Sequence, residues 1–450
     1  MTVHEDQIDV HPGRQRAALA AAALIAVPAF LLRFGGLESS YAVEALLFGL
    51  AIVGAAFLLS WAAEVAQVDI SAGLAIAILA LIAVLPEYAV SFVFAWEGGN
   101  SVQEFGASCP PAHASPCSLV LANMTGANRL LIGIGWSLVV FIAWYRVGKV
   151  RGVDRRRWEG IRLGRPHSIE LGFLWAATVY SLTLPLKESV TVVDAVVLIG
   201  LFGAYTWRVS RTPAEAPHLV GPARYLGDFP TAKRRAVVVL MFLASALVIG
   251  LFAEPFAHSL VLTGSQLGIS EFFLVQWLAP LASEAPELLV AGLYAWRLNT
   301  DAGLGTLVSS KVNQWTLLVG TLPIVFAIAS SSTHGLPIDT VARGELFLTA
   351  AQSFFAVAIL SNLTMSLREA FALFGLFWAQ FILGAFLPES AHGVERVSVG
   401  ILYLVLGVGI ILRDRRRLPG LVRDAFKAPY EELGVERVER AATHPSAPPE

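Results

Sequence analysis

The sequence predicts an all-α integral membrane protein with about twelve transmembrane helices and an inverted repeat. Hydrophobic residues make up 56% of the chain and charged residues 15%, whereas an average soluble domain is about 25% charged. Apolar runs of the roughly 20 residues needed to cross a bilayer recur from Arg16 to Leu412. A proline-glutamate segment within one apolar run also returns 200 positions later in another.

The apolar runs define twelve predicted spans. The first run follows Arg14 and Arg16, so a cleaved signal peptide is an alternative to a retained signal anchor. The retained anchor fits the orientation of the later loops better. The predicted spans cover residues 17–33, 41–63, 69–96, 119–145, 169–185, 190–208, 235–257, 269–296, 303–330, 345–363, 367–387 and 396–412.

The distribution of Lys and Arg among the loops predicts the orientation, because short loops rich in these residues stay in the cytoplasm. The connections 146–168 and 208–235 are rich in Arg and Lys, whereas 97–118 has neither and 258–268 has no Asp, Glu, Lys or Arg. Threading the spans through these assignments predicts a plasma or inner membrane protein with both termini in the cytoplasm. Residues 413–450 then form a polar cytoplasmic tail.

The two cysteines of the chain, Cys109 and Cys117, both fall in the outward connection 97–118. In an oxidising compartment they can close a small disulfide loop. Two unpaired thiols are the alternative, because the sequence gives neither the distance between them nor the redox state of the compartment.

The repeated segment carries the main functional signal. Residues 84–97, VLPEYAVSFVFAWE, align with residues 284–297, EAPELLVAGLYAWR, and the predicted orientation makes the first run outward and the second inward. Two similar segments of opposite direction indicate an inverted repeat, whose substrate site lies at the repeat interface near the bilayer midplane. Identical residues at matching places include Pro86 and Pro286, Glu87 and Glu287, and Trp96 and Trp296.

Pro86 and Pro286 are predicted to break or kink their helices, since proline lacks an amide donor and clashes with the carbonyl four residues earlier. Such backbone is tolerated at membrane depth where it is buried in protein or lines a wet cavity. Glu87 and Glu287 lie beside these positions, and an ionisable group at mid-span costs on the order of 3 kcal/mol to insert. The duplication favours a functional role for both glutamates over a structural ion pair.

The span after each repeated segment adds oxygen donors among small residues. Residues 122–136 read ANMTGANRLLIGIGW and residues 305–320 read GTLVSSKVNQWTLLVG. Side-chain oxygens suit a hard cation, although close helix packing alone explains the Gly and Ser positions equally well. The oxygen-bearing side chains are those of Asn123, Asn128, Thr306, Ser309, Ser310 and Asn313.

With these motifs the chain resembles the cation/calcium exchanger superfamily, whose best-known branch is the sodium/calcium exchangers. Its members carry two inverted repeats, each with a Ser/Thr-Ser-x-Pro-Glu helix followed by a Gly-Asn-x-x-Gly-Ser-Asn helix. The resemblance implies a ten-helix core made of the second to eleventh spans. It divides the chain into an N-terminal segment with an extra helix (1–40), a first repeat (41–208), a cytoplasmic loop (209–234), a second repeat (235–390), an extra helix (391–412) and the tail (413–450).

The resemblance also implies roles for individual residues. Glu87 and Glu287 match the two acidic ligands of the family's ion sites, so they are the expected metal ligands. Asn123 and Asn128 fall on the two Asn positions of the first motif, and Ser310 supplies a hydroxyl oxygen in the second.

Several residues depart from the family motif. Ala83 and Val84 replace the hydroxyl pair before the first proline, while Ser283 and Glu284 stand at the matching places of the second repeat. Thr306 replaces the first Asn of the second motif. We therefore add Ser283 and Glu284 to the expected ion-binding residues.

Lys311 is the departure with the largest consequence, because the family has an Asn or Asp ligand at its position. It adds a fixed cation, a tethered substitute for one bound sodium or calcium ion. Glu284 and Glu287 are three residues apart and share one face of a regular helix. We therefore expect Glu87, Glu284 and Glu287 to face Lys311, with Arg129 either joining them or lining a water-filled vestibule.

The predicted function is secondary active cation antiport by alternating access, coupled to protons as cation/proton or sodium/proton exchange. The lost hydroxyls and the added lysine disfavour multi-site sodium/calcium exchange, which needs several oxygen ligands per ion. Buried carboxyl and ammonium groups can also exchange protons within the working pH range. The alternatives are sodium/calcium exchange with rearranged ligands and an exchanger-fold sensor that does not transport.

A membrane enzyme is not expected, because the chain has no HExxH motif and the serines in its spans have no evident His partner. The expected partners are the lipid bilayer and inorganic cations, namely sodium, calcium or protons. No cofactor and no nucleic acid are expected. The oligomeric state is left open.

Overall fold

The computed structural model describes residues 12–36, 39–69, 85–105, 116–150, 158–211 and 219–433, and these residues form a helical bundle. The helices are α1 (Pro12–Leu24), α2 (Val27–Phe34), α3 (Tyr41–Ala66), α4 (Leu85–Phe105), α5 (Pro116–Leu130), α6 (Ser137–Val150), α7 (Ser168–Ser181), α8 (Val192–Val209), α9 (Pro222–Gly227), α10 (Thr231–Leu267), α11 (Glu271–Trp296), α12 (Thr300–Asn313), α13 (Val319–Ser330), α14 (Thr340–Leu360), α15 (Leu367–Phe386), α16 (Glu389–Asp414) and α17 (Leu418–Phe426). π-helical turns at Leu131–Trp136 and Gln314–Leu318 join α5 to α6 and α12 to α13, and 3-10 turns cover Arg165–His167, Leu184–Leu186 and Tyr430–Leu433.

Ten helical stretches of the described residues are long and apolar enough to cross a membrane, and each coincides with a predicted span. The other two predicted spans contain the repeated proline-glutamate segments. The span 269–296 is α11, a helix of 26 residues that is more polar because it carries Glu284 and Glu287. The span 69–96 ends in α4, and its residues 70–84 lie outside the described part of the chain.

Two predicted outward loops are partly helical. α4 continues to Phe105 and α10 to Leu267, so helix covers the beginning of 97–118 and most of 258–268. At 1.5 Å per residue, the 37-residue α10 is about 56 Å long, whereas the hydrocarbon core is about 30 Å thick. The predicted spans are too short here, because hydropathy marks only the lipid-embedded part of a helix and not where the helix ends.

α11 continues without interruption through both of its prolines, Pro280 and Pro286. Of the break or kink predicted at Pro286, the break is therefore wrong: each proline removes one amide donor, and the residues around it remain helical. Pro86 is the second residue of α4. The break predicted there stays a prediction, because residues 70–84 lie outside the described residues.

α5 and α11 cross in direct backbone contact at Gly126 and Gln276. The carbonyl of Gln276 lacks its helical donor because Pro280 has no amide N–H. A Cβ atom on Gly126 would lie 1.7 Å from that carbonyl oxygen, so a larger residue cannot approach as closely. The crossing joins the oxygen-rich helix of the first half to the proline-glutamate helix of the second half.

Two short antiparallel strand pairs also connect the halves. β1 (Ile161–Arg162) pairs with β4 (Thr364–Met365), with Ile161 opposite Met365. β2 (Ser189–Val190) pairs with β3 (Leu336–Pro337), with Ser189 opposite Pro337. Each pair joins a connection of the first half to a connection of the second.

The beginning of the predicted tail folds back onto the bundle. Arg165 Nη2 lies 2.8 Å from Asp424 Oδ2 of α17. The guanidinium of Arg208, at the end of α8, donates to the carbonyls of Ala425 and Ala428. Helix α17 is therefore anchored at the ends of α7 and α8.

We predict that Gly126→Ala lowers the stability of the protein, because its Cβ would overlap a backbone carbonyl that cannot rotate away. Overpacking of a close-packed interior costs about 1–3 kcal/mol. Thermal unfolding in detergent measures the effect beside Gly203→Ala, whose Cβ would meet nothing within 4 Å. Equal melting temperatures for the two variants would contradict the tight crossing.

Candidate ion site

Three carboxyl groups from the two halves meet inside the bundle. Glu87 comes from α4, and Glu284 and Glu287 come from successive turns of α11. Glu87 and Glu284 are each 2% exposed, while Glu287 keeps part of its surface accessible. The carboxyl group of Glu284 lies next to those of Glu87 and Glu287 and interacts with both. We call these three residues the carboxyl trio.

Two neighbouring side chains of the second half donate to the carboxyl trio. Ser310 Oγ donates to Glu287 Oε2 over 2.5 Å. Gln314 Nε2 lies 2.8 Å from Glu284 Oε1 and 3.4 Å from Glu87 Oε2, so one carboxamide bridges the halves. Sequence reasoning missed Gln314, although its position four residues after Ser310 places it on the same helix face.

Lys311 is fully buried but is held by Asn128 and not by the glutamates. Its Nζ lies 2.8 Å from the Asn128 carbonyl oxygen and 2.5 Å from Asn128 Oδ1, and 5.2 Å from the centre of the Trp315 ring. Among the described residues it forms no direct ion pair. The ammonium also interacts electrostatically with Glu87 and Glu284, while its hydrogen bonds go to the two oxygens on α5. The expectation that Lys311 faces the carboxyl trio stays a prediction.

Asn128 and Lys311 occupy equivalent places in the two halves. They are 183 residues apart, and so are Leu131 and Gln314, the first residues of the two π-helical turns. A π-turn is rare and often marks a functional position, because the extra residue re-aims the side chains around it. The Lys311–Asn128 contact therefore joins the halves at matching positions of the repeat.

The other predicted oxygen donors have different surroundings. Asn123 Nδ2 donates to Ser91 Oγ over 2.7 Å, and Asn123 Oδ1 has no hydrogen-bond partner among the described residues. Ser283 donates back to carbonyls of its own helix. Thr306 also bonds its own helix, and Ser309 pairs with Tyr205 over 2.9 Å. Ser309 and Ser310 are adjacent, yet only Ser310 reaches the carboxyl trio.

Arg129 belongs to a second buried polar cluster. Its Nη1 lies 2.6 Å from Glu345 Oε2, and Arg396 Nε lies 2.6 Å from Glu345 Oε1. Gln276 Nε2 donates to the same carboxylate over 2.8 Å, and Arg129 also donates to Gln380. Of the two expectations for Arg129, joining the glutamates is wrong. We call the residues around Glu345 the Glu345 cluster.

Several predicted features lie outside the described residues. They include Ala83 and Val84, and also Cys109, so the disulfide between Cys109 and Cys117 stays a prediction. Among the described residues, no group of three or more His, Cys, Asp or Glu side chains is arranged as a metal site. The carboxyl groups of the trio instead contact one another.

Comparison with solved structures gives a close match over nearly the whole chain. A structure described as the H+/Ca2+ exchanger CAX is 37% identical, with a TM-score of 0.82, covering 94% of this chain and 99% of the other. Native YfkE is 15% identical with a TM-score of 0.56, covering 87% and 100%, and shows the fold alone. A structure of the Ca2+/H+ antiporter protein YfkE is also 15% identical, with a TM-score of 0.51, covering 88% and 99%. No curated protein sequence matches significantly.

The profile of a protein family described as "Sodium/calcium exchanger protein" matches residues 40–211 and 237–385. The match confirms the predicted superfamily and, with the solved structures, the predicted helical membrane fold. It also confirms that the chain is a transporter and not an enzyme, because the family consists of transporters. The chain belongs to the sodium/calcium exchanger protein family.

Proposed function

We propose that this chain is a secondary active antiporter that exchanges a cation, calcium foremost, for protons by alternating access. The observation that carries the proposal is the contact of Glu284 with both Glu87 and Glu287. Two carboxyl groups form a hydrogen bond only when one of them carries a proton. In the protonated state that we propose, the trio holds two protons, one between each neighbouring pair.

The charge balance of the site supports exchange of one divalent cation for two protons. Three ionised carboxylates and the ammonium of Lys311 leave two negative charges among the described residues of the site. Two protons or one calcium ion neutralise them equally well. An uncompensated charge is expensive inside a membrane protein, so the site is expected to release one cargo as it takes up the other. The relative of 37% identity is described as an H+/Ca2+ exchanger, in agreement with this cargo.

Each residue of the site has a definite role in this proposal. Glu87, Glu284 and Glu287 carry the protons or bind the cation, and Ser310 orients Glu287. Gln314 keeps the carboxyl groups of the two halves together. Carboxylate and hydroxyl oxygens suit the hard calcium ion.

Lys311 acts in this proposal as a tethered cation on the oxygens of Asn128. Lys311 stands where the family has an ion ligand, and its ammonium group binds the two oxygens of Asn128. Fewer oxygens then remain for additional sodium ions. This arrangement favours protons over sodium as the exchanged species.

The two repeats are proposed as residues 41–208 and 235–390, with the site at their interface. Contacts such as Gln314 with Glu87 and Lys311 with Asn128 cross that interface. Relative movement of the halves would change these contacts first. The protein is proposed to lie in the plasma or inner membrane with both termini in the cytoplasm.

Sodium/calcium exchange with rearranged ligands is the second candidate. Asn123 favours it, because its Oδ1 has no hydrogen-bond partner among the described residues and is available to a cation. A sensor that does not transport is the third candidate.

The first prediction is that proteoliposomes exchange calcium for protons, at about two protons per calcium ion, without need of sodium. A calcium dye and a pH dye measure the two fluxes under a calcium gradient. Glu284→Gln should abolish the coupled flux, because it removes the carboxyl group shared by both pairs, while the exposed Glu104→Gln serves as control. Flux that requires sodium would favour the second candidate, and the absence of any flux would favour the third.

A second prediction separates two adjacent serines. Ser310→Ala should raise the KM for calcium about tenfold, since a hydrogen bond to a charged group contributes roughly 1.5 kcal/mol or more. Ser309→Ala should leave the KM within about twofold, because Ser309 bonds Tyr205 outside the trio. Calcium flux at varied concentration measures both variants. Equal changes in KM would remove Ser310 from the site.

A third prediction concerns Lys311. Lys311→Asn frees both oxygens of Asn128 and should create sodium-dependent flux or sodium-dependent thermal stabilisation that the native protein lacks. Lys149→Asn, at the exposed end of α6, is the control for loss of a positive charge. Unchanged ion selectivity and pH dependence in Lys311→Asn would contradict the tethered-cation role.

A further inference from the structure

A cavity with polar residues in its wall lies apart from the carboxyl trio. It has a volume of about 290 Å³ and opens where α11, α14 and α16 begin and α15 ends. The predicted threading puts all four of these helix ends on the side of the 258–268 connection. The polar residues that line the cavity are Ser270, Gln276, Glu345, Gln380, His392, Glu395 and Arg396. A water molecule takes about 30 Å³ of liquid volume, so the cavity has room for several.

One carboxyl group in this cavity interacts with Gln380 but keeps one oxygen, Oε1, without a partner among the described residues. Glu345 is satisfied by Arg129, Arg396 and Gln276. In contrast, Glu395 is only 7% exposed, and its Oε1 is buried with no hydrogen-bond partner among the described residues. A buried polar atom without a hydrogen-bond partner is unfavourable in free energy. Glu395 is therefore the group that a ligand in the cavity would bind.

The charges around Glu395 favour a proton over a calcium ion as that ligand. The facing groups are Arg129 of α5, Glu345 of α14 and, on α16 itself, Arg396 and His392. The neighbouring α11 and α15 contribute uncharged Gln276 and Gln380. The two arginines balance Glu345 and an ionised Glu395. A bound calcium ion would leave two uncompensated positive charges in a buried cluster, whereas a proton leaves one.

The Glu345 cluster is linked to the ion site by two short paths. Arg129 directly follows Asn128, which holds Lys311. On α11, Gln276 precedes Glu284 by eight residues, which is about 12 Å at 1.5 Å per residue. Glu395 lies beyond Gln276, and a unit charge at about twice this distance still changes the affinity for a divalent cation by roughly tenfold at an effective dielectric near 20.

We propose that Glu395 is a second proton-binding group, separate from the carboxyl trio, that lowers the affinity of the ion site for its cation when the cavity side is acidic. Protonation leaves the cluster with a net positive charge behind Asn128 and Lys311, and this charge repels the cation. Glu395 lies on α16, outside the residues matched by the family profile. The inference rests on the proposed function, because it concerns the affinity of that same site.

The test compares Glu395→Gln, Glu395→Asp and the exposed control Glu104→Gln in proteoliposomes. The KM for calcium is measured while the pH is varied on one side of the membrane at a time. Glu395→Gln should show, at neutral cavity-side pH, the roughly tenfold higher KM that the native protein reaches only at acidic pH. It should also lose the cavity-side part of the pH dependence and keep the maximal rate. Glu395→Asp and Glu104→Gln should behave as the native protein does.

Two results would overturn the proposal. One is a native pH profile in Glu395→Gln, and the other is an equal loss of maximal rate in the Gln and Asp variants, which indicates a structural role. Calcium-dependent thermal stabilisation in detergent at varied pH provides a readout that does not need transport. If the native protein binds calcium but moves none, the proposed antiport fails, while the comparison of Glu395→Gln with native protein still tests the second proton site.

Discussion

Charged groups inside a membrane must be neutralised within the protein, and this constraint organises the structure around its centre. Glu87, Glu284, Lys311 and Glu345 are all buried. Glu345 meets the constraint with two arginines at 2.6 Å. In the proposed antiport the trio meets it with protons or a cation that bind and leave, and a group of charges that needs a mobile counter-charge is then the physical basis of exchange.

The helices that carry these charges are positioned by a few backbone features. The close approach of Gly126 to the Gln276 carbonyl lets α5 and α11 cross. Near this crossing, Asn128 of α5 contacts Lys311, and Gln314 contacts Glu87 and Glu284. Each half therefore completes the site of the other half. Neither repeat contains all the partners of its own polar residues, as expected for a site at the interface of an inverted repeat.

The Glu345 cluster shows how helices outside the family match contribute to the protein. α16 lies beyond the matched residues, yet its Arg396 shares a carboxylate with Arg129 of the first half. Its Gly400 and Gly407 pack against Phe347 and Phe354 of α14, so the position of α16 is fixed by close packing. A charge change on α16 therefore reaches the first half through side chains that contact one another.

The sequence by itself determined the fold class, the places of the spans and the two proline-glutamate segments, because composition and repetition are properties of local stretches. Its motifs also pointed to Glu87, Glu284 and Glu287. The tertiary structure decided which partners these residues have. Gln314 was missed, the hydrogen bonds of Lys311 to Asn128 were not expected, and Ser309 and Ser310 looked alike, since contacts between residues 23 to 227 positions apart depend on how the helices pack. The tertiary structure likewise decided that α11 continues through Pro286. The loss of a single amide donor does not by itself end a helix whose other residues remain hydrogen-bonded.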